Sequence, residues 1–318
     1  MEHNEIEKIL LGFNDPNLPE IFHFEDTPSA IEFQKIYDFY SVTLKNFSDY
    51  GFAPALIYFN NRLDQNAFAC KRGGYSIVSF NAGTIIHLNN TFNTIKFETK
   101  NSHLDSFLDT NVNKLMYQFC LHFTLYHEMA HLVQNSSYLL RGLHELHKSN
   151  EKYDEQRHLL EFDADQFSSL CLGTHICDYL ERIDPLDQNP ELTEHVINIA
   201  TAALIVYILS FNSANKAIYF EKFHHPHPSI RLSLIVQTLL DYTYDSRKSR
   251  PANGMEKTKF VIDAGNIVQN GTKSDIVISY VKILMSNYGE IKKYIDGFTL
   301  INNKKISLAT DKWNEMAK

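Results

Sequence analysis

Apolar residues recur every three or four positions over several long stretches of the chain, which is the spacing of helices with one buried face. The first such stretch runs from about residue 27 to 47, with Ile36 and Leu44 on one side and Pro28 at its first turn. Residues 1–25 contain turn signals instead of this period, so we expect them to be irregular.

Between about residues 53 and 90 the period shortens, and brief apolar runs rich in β-branched and aromatic residues follow one another. Gly73–Gly74 and Ala82–Gly83 separate the runs, as turns separate the strands of hairpins. This pattern predicts a small antiparallel sheet. Its expected strands are residues 53–59, 67–71, 75–81 and 84–89.

Helical spacing returns for the rest of the chain. The expected helices lie at about residues 104–135, 155–181, 191–211 and 274–298. A further helix is expected to follow residues 224–232 and to end at about Tyr242. A segment rich in Pro, Gly and Ser precedes the last of them and suggests a boundary. We therefore expect a mainly helical α+β domain at residues 1–245 and a basic, mostly helical appendage at residues 246–318.

One predicted helix is apolar enough to raise the question of a membrane. Residues 196–211 form a run of 16 mostly apolar side chains, interrupted by Asn198 and Thr201. Spanning a bilayer takes roughly 20 residues, so the run predicts a buried core helix, with a membrane-associated helix as the alternative.

Composition and cysteine usage indicate a soluble cytoplasmic protein. The hydrophobic content of 44% and charged content of 21% are ordinary for a globular chain. The first residues are charged and lack the apolar core of a secretory signal. None of the four cysteines forms a CxxC pair, so we expect reduced thiols packed as small hydrophobes.

Charge is distributed unevenly along the chain. Residues 246–318 contain 13 Lys/Arg against 7 Asp/Glu, a balance of +6, so the net charge of −8 leaves −14 on residues 1–245. The basic tail contains no nucleic-acid motif and little aromatic interleaving. It favours a solvated helical surface, which could hold an acidic regulatory protein partner, over a nucleic-acid interface.

The sequence His127–Glu128–Met129–Ala130–His131 has the pattern HExxH inside the helix predicted at 104–135. Residues four apart lie on one face of a helix, so both imidazoles can reach one metal ion. Glu128 directly follows the first histidine, where its carboxylate can take a proton from an activated water. The pattern predicts a divalent metal site. The alternative is a half-buried helix with two structural histidines.

A catalytic zinc site needs a third protein ligand and keeps its fourth position open. The stretch after His131 contains neither the glycine nor the histidine of HExxHxxGxxH, so another segment must supply the ligand. Glu161 follows 30 residues later, and Asp165 lies one turn further, where it could accept a ring N–H of a ligating histidine. Two histidines and one carboxylate favour Zn²⁺. Glu155, Asp163, a distant histidine, or a simple polar helix face remain open alternatives.

HEMAH followed by EFDAD at residues 161–165 resembles the glutamate-ligand zincins, or gluzincins, especially the HtpX-type and CAAX-prenyl endopeptidases. Those families have a later HP…R element, and here His225–Pro226 is followed by Arg231. The order of helices also resembles the Lit-type phage-exclusion peptidases, bacterial proteases that cut a host translation factor. The resemblance covers roughly residues 75–240. It implies a zincin-like metallopeptidase domain with an HExxH active-site helix.

The resemblance also implies a role for each matched residue. His127, His131 and Glu161 would bind zinc, and Glu128 would be the general base. His225 would stabilise the oxyanion, or else be a turn histidine before a helix. Arg231 would pair with a carboxylate near the site, or else be a surface arginine.

The expected function is that of a cytoplasmic zinc endopeptidase acting on a protein or peptide, as a regulated bacterial toxin or phage-defence effector. We expect its substrate to add as a strand along residues 75–89. Two alternatives stay open. One is a catalytically silent zincin-like binding or regulatory protein. The other is a membrane-associated quality-control protease that uses residues 196–211.

Overall fold

The structure is a computed structural model that describes most of the chain. The described residues are 3–15, 18–134, 143–144, 153–185, 189–211, 217–223, 225–246, 254–299 and 308–316.

Within these residues the chain forms ten α-helices and one small sheet. The helices are α1 (His3–Phe13), α2 (Ala30–Asn46), α3 (Ala82–Thr94), α4 (Val112–Val133), α5 (Glu155–Ile183), α6 (Pro190–Ser210), α7 (Pro228–Ser246), α8 (Gly254–Thr272), α9 (Ile276–Thr299) and α10 (Ala309–Met316). The strands are β1 (Ala55–Asn60), β2 (Ala67–Arg72), β3 (Tyr75–Asn81) and β4 (Leu143–His144). A mainly helical α+β fold is therefore confirmed.

By its internal contacts the chain divides into two compact units. Unit 1 comprises Met1–Leu88, Thr124–Leu146 and Asn303–Lys318, and unit 2 comprises Asn89–Phe123 and His147–Asn302. The division falls inside α4, whose first half belongs to unit 2 and whose second half belongs to unit 1. The expected boundary near residue 245 stays a prediction.

Unit 1 contains the sheet, which is mixed and not antiparallel as predicted. Its strand order is β1-β3-β2-β4. β3 pairs in parallel with β1 and antiparallel with β2, and β2 pairs antiparallel with β4. β3 is thus hydrogen-bonded on both sides, so residues 75–81 cannot be the open edge that would receive a substrate strand. That prediction is wrong.

The hairpin between β2 and β3 follows the predicted turn. Gly73 and Gly74 both have positive φ, 55° and 84°, as a two-residue hairpin turn with a twist matched to its strands requires. The next expected turn is wrong, because Ala82–Gly83 begins helix α3, which also takes up residues 84–89. Gly83 is needed there because a Cβ would lie 2.0 Å from the backbone oxygen of Leu63.

The predicted N-terminal helix is confirmed as α2, and the segment before it differs from expectation. Residues 3–13 form helix α1, which buries Ile6, instead of irregular chain. The helix expected at 104–135 divides into a short 3₁₀ segment, Ser102–Phe107, and α4.

Unit 2 is built around the long helix α5 and the apolar helix α6. α5 packs along α7, and α6 packs against α7 and α8. α6 is the one helix in the described part of the chain that is long and apolar enough to cross a membrane. However, 83% of its most apolar stretch of 18 residues is buried inside the structure. Such burial is typical of a core helix.

Helix α9 is held to α5 by a buried histidine. His158 on α5 has its Nε2 2.5 Å from the Phe223 carbonyl oxygen and its Nδ1 2.6 Å from the Tyr294 hydroxyl on α9. The same hydroxyl oxygen lies 2.9 Å from the Phe220 carbonyl oxygen, but its single proton goes to His158 Nδ1 when the ring is neutral and donates through Nε2. Burial lowers the pKa of His158 to about 4, so at neutral pH the ring is uncharged. The Tyr294 side chain on α9 thus contacts both His158 on α5 and the backbone at Phe220.

We expect Tyr294→Phe to lower the free energy of unfolding by about 1–3 kcal/mol, because the buried Nδ1 of His158 loses its hydrogen-bond donor. Tyr288→Phe makes the same chemical change on the same helix at a side chain that is 67% exposed, and should have no measurable effect. Urea denaturation of both variants measures the difference. Equal stability of the two variants would show that the Tyr294 hydroxyl does not hold α9.

Candidate metal centre

The HExxH residues lie in the last two turns of α4 and are buried. His127 and His131 are 0% and 2% exposed, and Glu128 is 1% exposed. The apolar residues around them explain this, because Tyr126, Met129 and Leu132 are also part of the core. The two histidines face each other through their Nε2 atoms, which are 3.2 Å apart.

Glu161 on α5 joins the two histidines. One ligand atom from each of His127, His131 and Glu161 lies within 4.8 Å of the others, and all three residues are buried. Among the described His, Cys, Asp and Glu residues, this is the group of three or more that could hold a metal ion. Glu155, an alternative ligand, is exposed at the start of α5.

The donor set fits a divalent transition metal. Two nitrogens bound to one zinc in tetrahedral geometry lie about 3.3–3.4 Å apart, given Zn–N bonds of about 2.0–2.1 Å. The observed separation of the His127 and His131 Nε2 atoms is 3.2 Å. Imidazole nitrogens with a carboxylate oxygen also suit other metals, so the residues define a metal-binding group and not the identity of the metal.

Two buried cysteines, Cys70 and Cys120, are core residues. Burial raises the pKa of the Cys70 thiol on β2 to about 12, and the negative charge of Glu128 is a smaller contribution in the same direction. Cys70 therefore stays a neutral thiol. Cys120 is likewise a core residue, since its thiol is buried and donates to the Ala203 carbonyl at 3.4 Å.

No sequence motif singles out Gln134, whose side chain contacts His131 directly. Its Oε1 lies 2.9 Å from His131 Nδ1, and both side chains are buried. Gln134 comes three residues after His131, immediately past the end of α4. The only signal that could have indicated it is this spacing, because residues three apart are neighbours on a helix.

His225 lies against the ligand carboxylate. Its Nδ1 is 3.3 Å from Glu161 Oε2, and both side chains are almost fully buried. The histidine of the His225–Pro226…Arg231 element therefore lies next to Glu161, as the motif suggested. The oxyanion role expected for His225 stays a prediction.

Arg231 pairs with Asp165 one helical turn beyond Glu161. Its Nε donates to Asp165 Oδ2 and its Nη2 to Asp165 Oδ1, both at 2.8 Å, and both side chains are buried. This two-point pairing compensates the burial of both charges. That Asp165 also accepts from a ligating histidine stays a prediction.

His227 starts the helix that carries Arg231. Its Nδ1 accepts from the Ser229 backbone N–H at 3.1 Å, and its carbonyl accepts from the N–H groups of Ile230 and Arg231. Pro228 occupies the first helical position, where a missing N–H costs nothing. Burial lowers the pKa of His227 to about 4, which keeps the ring neutral and Nδ1 able to accept.

Comparisons with known proteins add no relative. No family model, no curated protein and no solved structure matches the chain. The likeness to gluzincins therefore depends on the motifs alone and stays a prediction.

We expect the purified protein to contain one divalent metal ion per chain, and Glu161→Ala to lose it. Removing a ligand should weaken binding by more than the roughly 10–100-fold that loss of an outer hydrogen-bond partner costs. Elemental analysis and chelator competition measure both quantities.

Glu155→Ala is the matched control, since it removes an exposed glutamate from the same helix. It should bind metal as the wild type does. Loss of metal in Glu155→Ala with retention in Glu161→Ala would show that the wrong carboxylate has been assigned.

Proposed function

We propose that this chain is a zinc-dependent endopeptidase that hydrolyses peptide bonds of a protein substrate. The observation that carries the proposal is the buried group of His127, His131 and Glu161, with Glu128 adjacent to its first histidine. Three protein ligands are typical of catalytic zinc sites, which keep a fourth position open, whereas structural sites usually use four.

His127, His131 and Glu161 would hold a zinc ion, which as a Lewis acid would supply a water whose pKa is lowered towards about 7. Glu128 would take the proton of the attacking water and deliver it to the leaving amine. The side chain of Glu128 is 1% exposed, so this proton transfer would take place away from bulk water.

Two further residues would support this chemistry. His225, next to Glu161, would donate an N–H to the negative charge that develops on the substrate carbonyl oxygen. Arg231, by neutralising Asp165, would hold the helix that carries Glu161 in a fixed position relative to α7.

The alternative of a silent binding protein is less well supported. A purely structural metal site has no need of a carboxylate at the position of Glu128. The membrane-associated alternative is disfavoured by the burial of α6, which leaves little apolar surface for lipid.

Glu128→Gln should bind metal as the wild type does and lose peptidase activity by about 10²–10⁴-fold, because an amide cannot accept the proton. Since the substrate is unidentified, the assay uses a peptide library made from a bacterial proteome. New amino termini are counted by mass spectrometry.

Glu155→Gln, the same substitution at an exposed position of α5, is the control and should cleave as the wild type does. Library cleavage that is equal in the wild type and in Glu128→Gln would end the peptidase proposal. Metal binding without any cleavage in the wild type would favour the binding-protein alternative.

We further propose that the peptidase acts as a regulated bacterial toxin or defence effector, on the strength of its likeness in motif order to the phage-exclusion peptidases. The basic tail would serve a regulatory partner. On α9, Lys282 and Lys293 are exposed, as are the apolar side chains of Met285 and Tyr288. An acidic, partly apolar partner would fit such a surface.

Induced expression of the wild type in bacterial cells should then arrest growth, and expression of Glu128→Gln to the same level should not. Colony counts over an induction series, with protein levels checked by immunoblot, measure this. Equal growth of the two strains, with active peptidase present in the cells, would refute the toxin proposal and leave the enzymatic one intact.

A further inference from the structure

His131 takes part in two short contacts, one through each ring nitrogen. Its Nε2 faces His127 at 3.2 Å, inside the metal-binding group. Its Nδ1 lies 2.9 Å from Gln134 Oε1 on the opposite side of the ring. The histidine therefore has a defined inner nitrogen and a defined outer nitrogen.

The two nitrogens cannot be treated independently. In a neutral imidazole one nitrogen carries the proton and the other has the lone pair. A metal ligand through Nε2 must be the tautomer with its proton on Nδ1, and that proton needs an acceptor when the ring is buried. The side-chain amide oxygen of Gln134, Oε1, is such an acceptor. If the Gln134 amide were turned to donate, it would select the opposite tautomer, whose Nε2 could not bind a metal.

The backbone of Gln134 continues the helix that carries both histidines. The Gln134 N–H donates to the Ala130 carbonyl at 3.0 Å, which continues the helical ladder of α4 by one residue. The side chain is 0% exposed. The amide oxygen is therefore built into the end of the same helix that carries both histidines.

We propose that Gln134 is a positioning residue that holds His131 in the metal-binding tautomer and ring orientation, so that the functional motif of this chain is HExxHxxQ. The inference rests on the proposed metal site. It assigns to Gln134 an effect on metal affinity that acts entirely through His131.

Three substitutions separate acceptor chemistry from packing. Gln134→Met keeps the length and approximate volume of the side chain and removes the acceptor. Gln134→Asn keeps the amide and shortens its reach by one methylene. Gln134→Glu keeps both the length and an acceptor oxygen, and a carboxylate is the stronger acceptor.

The measurement is zinc affinity of the full-length protein by competition with a chromophoric chelator. We expect Gln134→Met and Gln134→Asn to bind zinc about 10–100-fold more weakly than the wild type. Gln134→Glu should bind at least as tightly as the wild type, and this rescue is the specific mark of a hydrogen-bonding role. Gln237→Met, at an exposed position of α7, is the matched control and should not change affinity.

Stability of the metal-free protein is the second readout. If Gln134 only fills space, Gln134→Glu would lower stability and affinity together, and Gln134→Met would leave affinity unchanged. Either result overturns the proposal, as does a wild type that binds no zinc.

The outcomes for Gln134 and for the enzyme are distinguishable. Wild-type zinc binding that is unaffected by Gln134→Met refutes the positioning role and leaves the peptidase proposal standing. The expected affinity series combined with no cleavage of the peptide library does the reverse.

Discussion

The folded state of this protein depends on partners that offset the cost of burying several ionisable side chains. His127, Glu128, His131, Glu161 and Asp165 are all at most 2% exposed. Moving such groups out of water costs several kcal/mol each unless a partner replaces the lost hydration. The partners differ in kind: a guanidinium for Asp165, an imidazole for Glu161, and a neutral amide for His131. A metal shared by the two histidines and Glu161 would complete this compensation.

Helix α5 organises these partners in chain order. His158, Glu161 and Asp165 follow one another at helical spacing, and each meets the segment of residues 223–231, which ends in the first turn of α7. His158 binds the Phe223 carbonyl, Glu161 meets His225, and Asp165 meets Arg231. The segment therefore runs alongside α5 in the same direction, and three polar contacts fix its register. The apolar packing of α5 on α7 alone would not specify that register, because dispersion and burial are non-directional.

Much of this arrangement follows from the sequence because its signals are local or motif-based. The helical period predicts α2 and α4 to α7, and the spacing of HExxH predicts that His127 and His131 share a face. Other features have no local signal. The parallel pairing of β1 with β3 depends on residues some twenty positions apart, and a short apolar run such as residues 84–89 has no period that distinguishes strand from helix. Gln134 is missed because a neutral amide has no motif of its own.

Burial of the metal-binding group also has a kinetic consequence. Because His127, Glu128 and Glu161 are each at most 1% exposed, we expect an ion or a peptide to reach them through conformations in which these side chains are more accessible. The fraction of time that the protein spends in such conformations multiplies the rates of association and of dissociation alike, so it slows exchange at the site and leaves the equilibrium affinity unchanged. Residence of a bound ion would accordingly be long, because its escape must wait for the same rare openings.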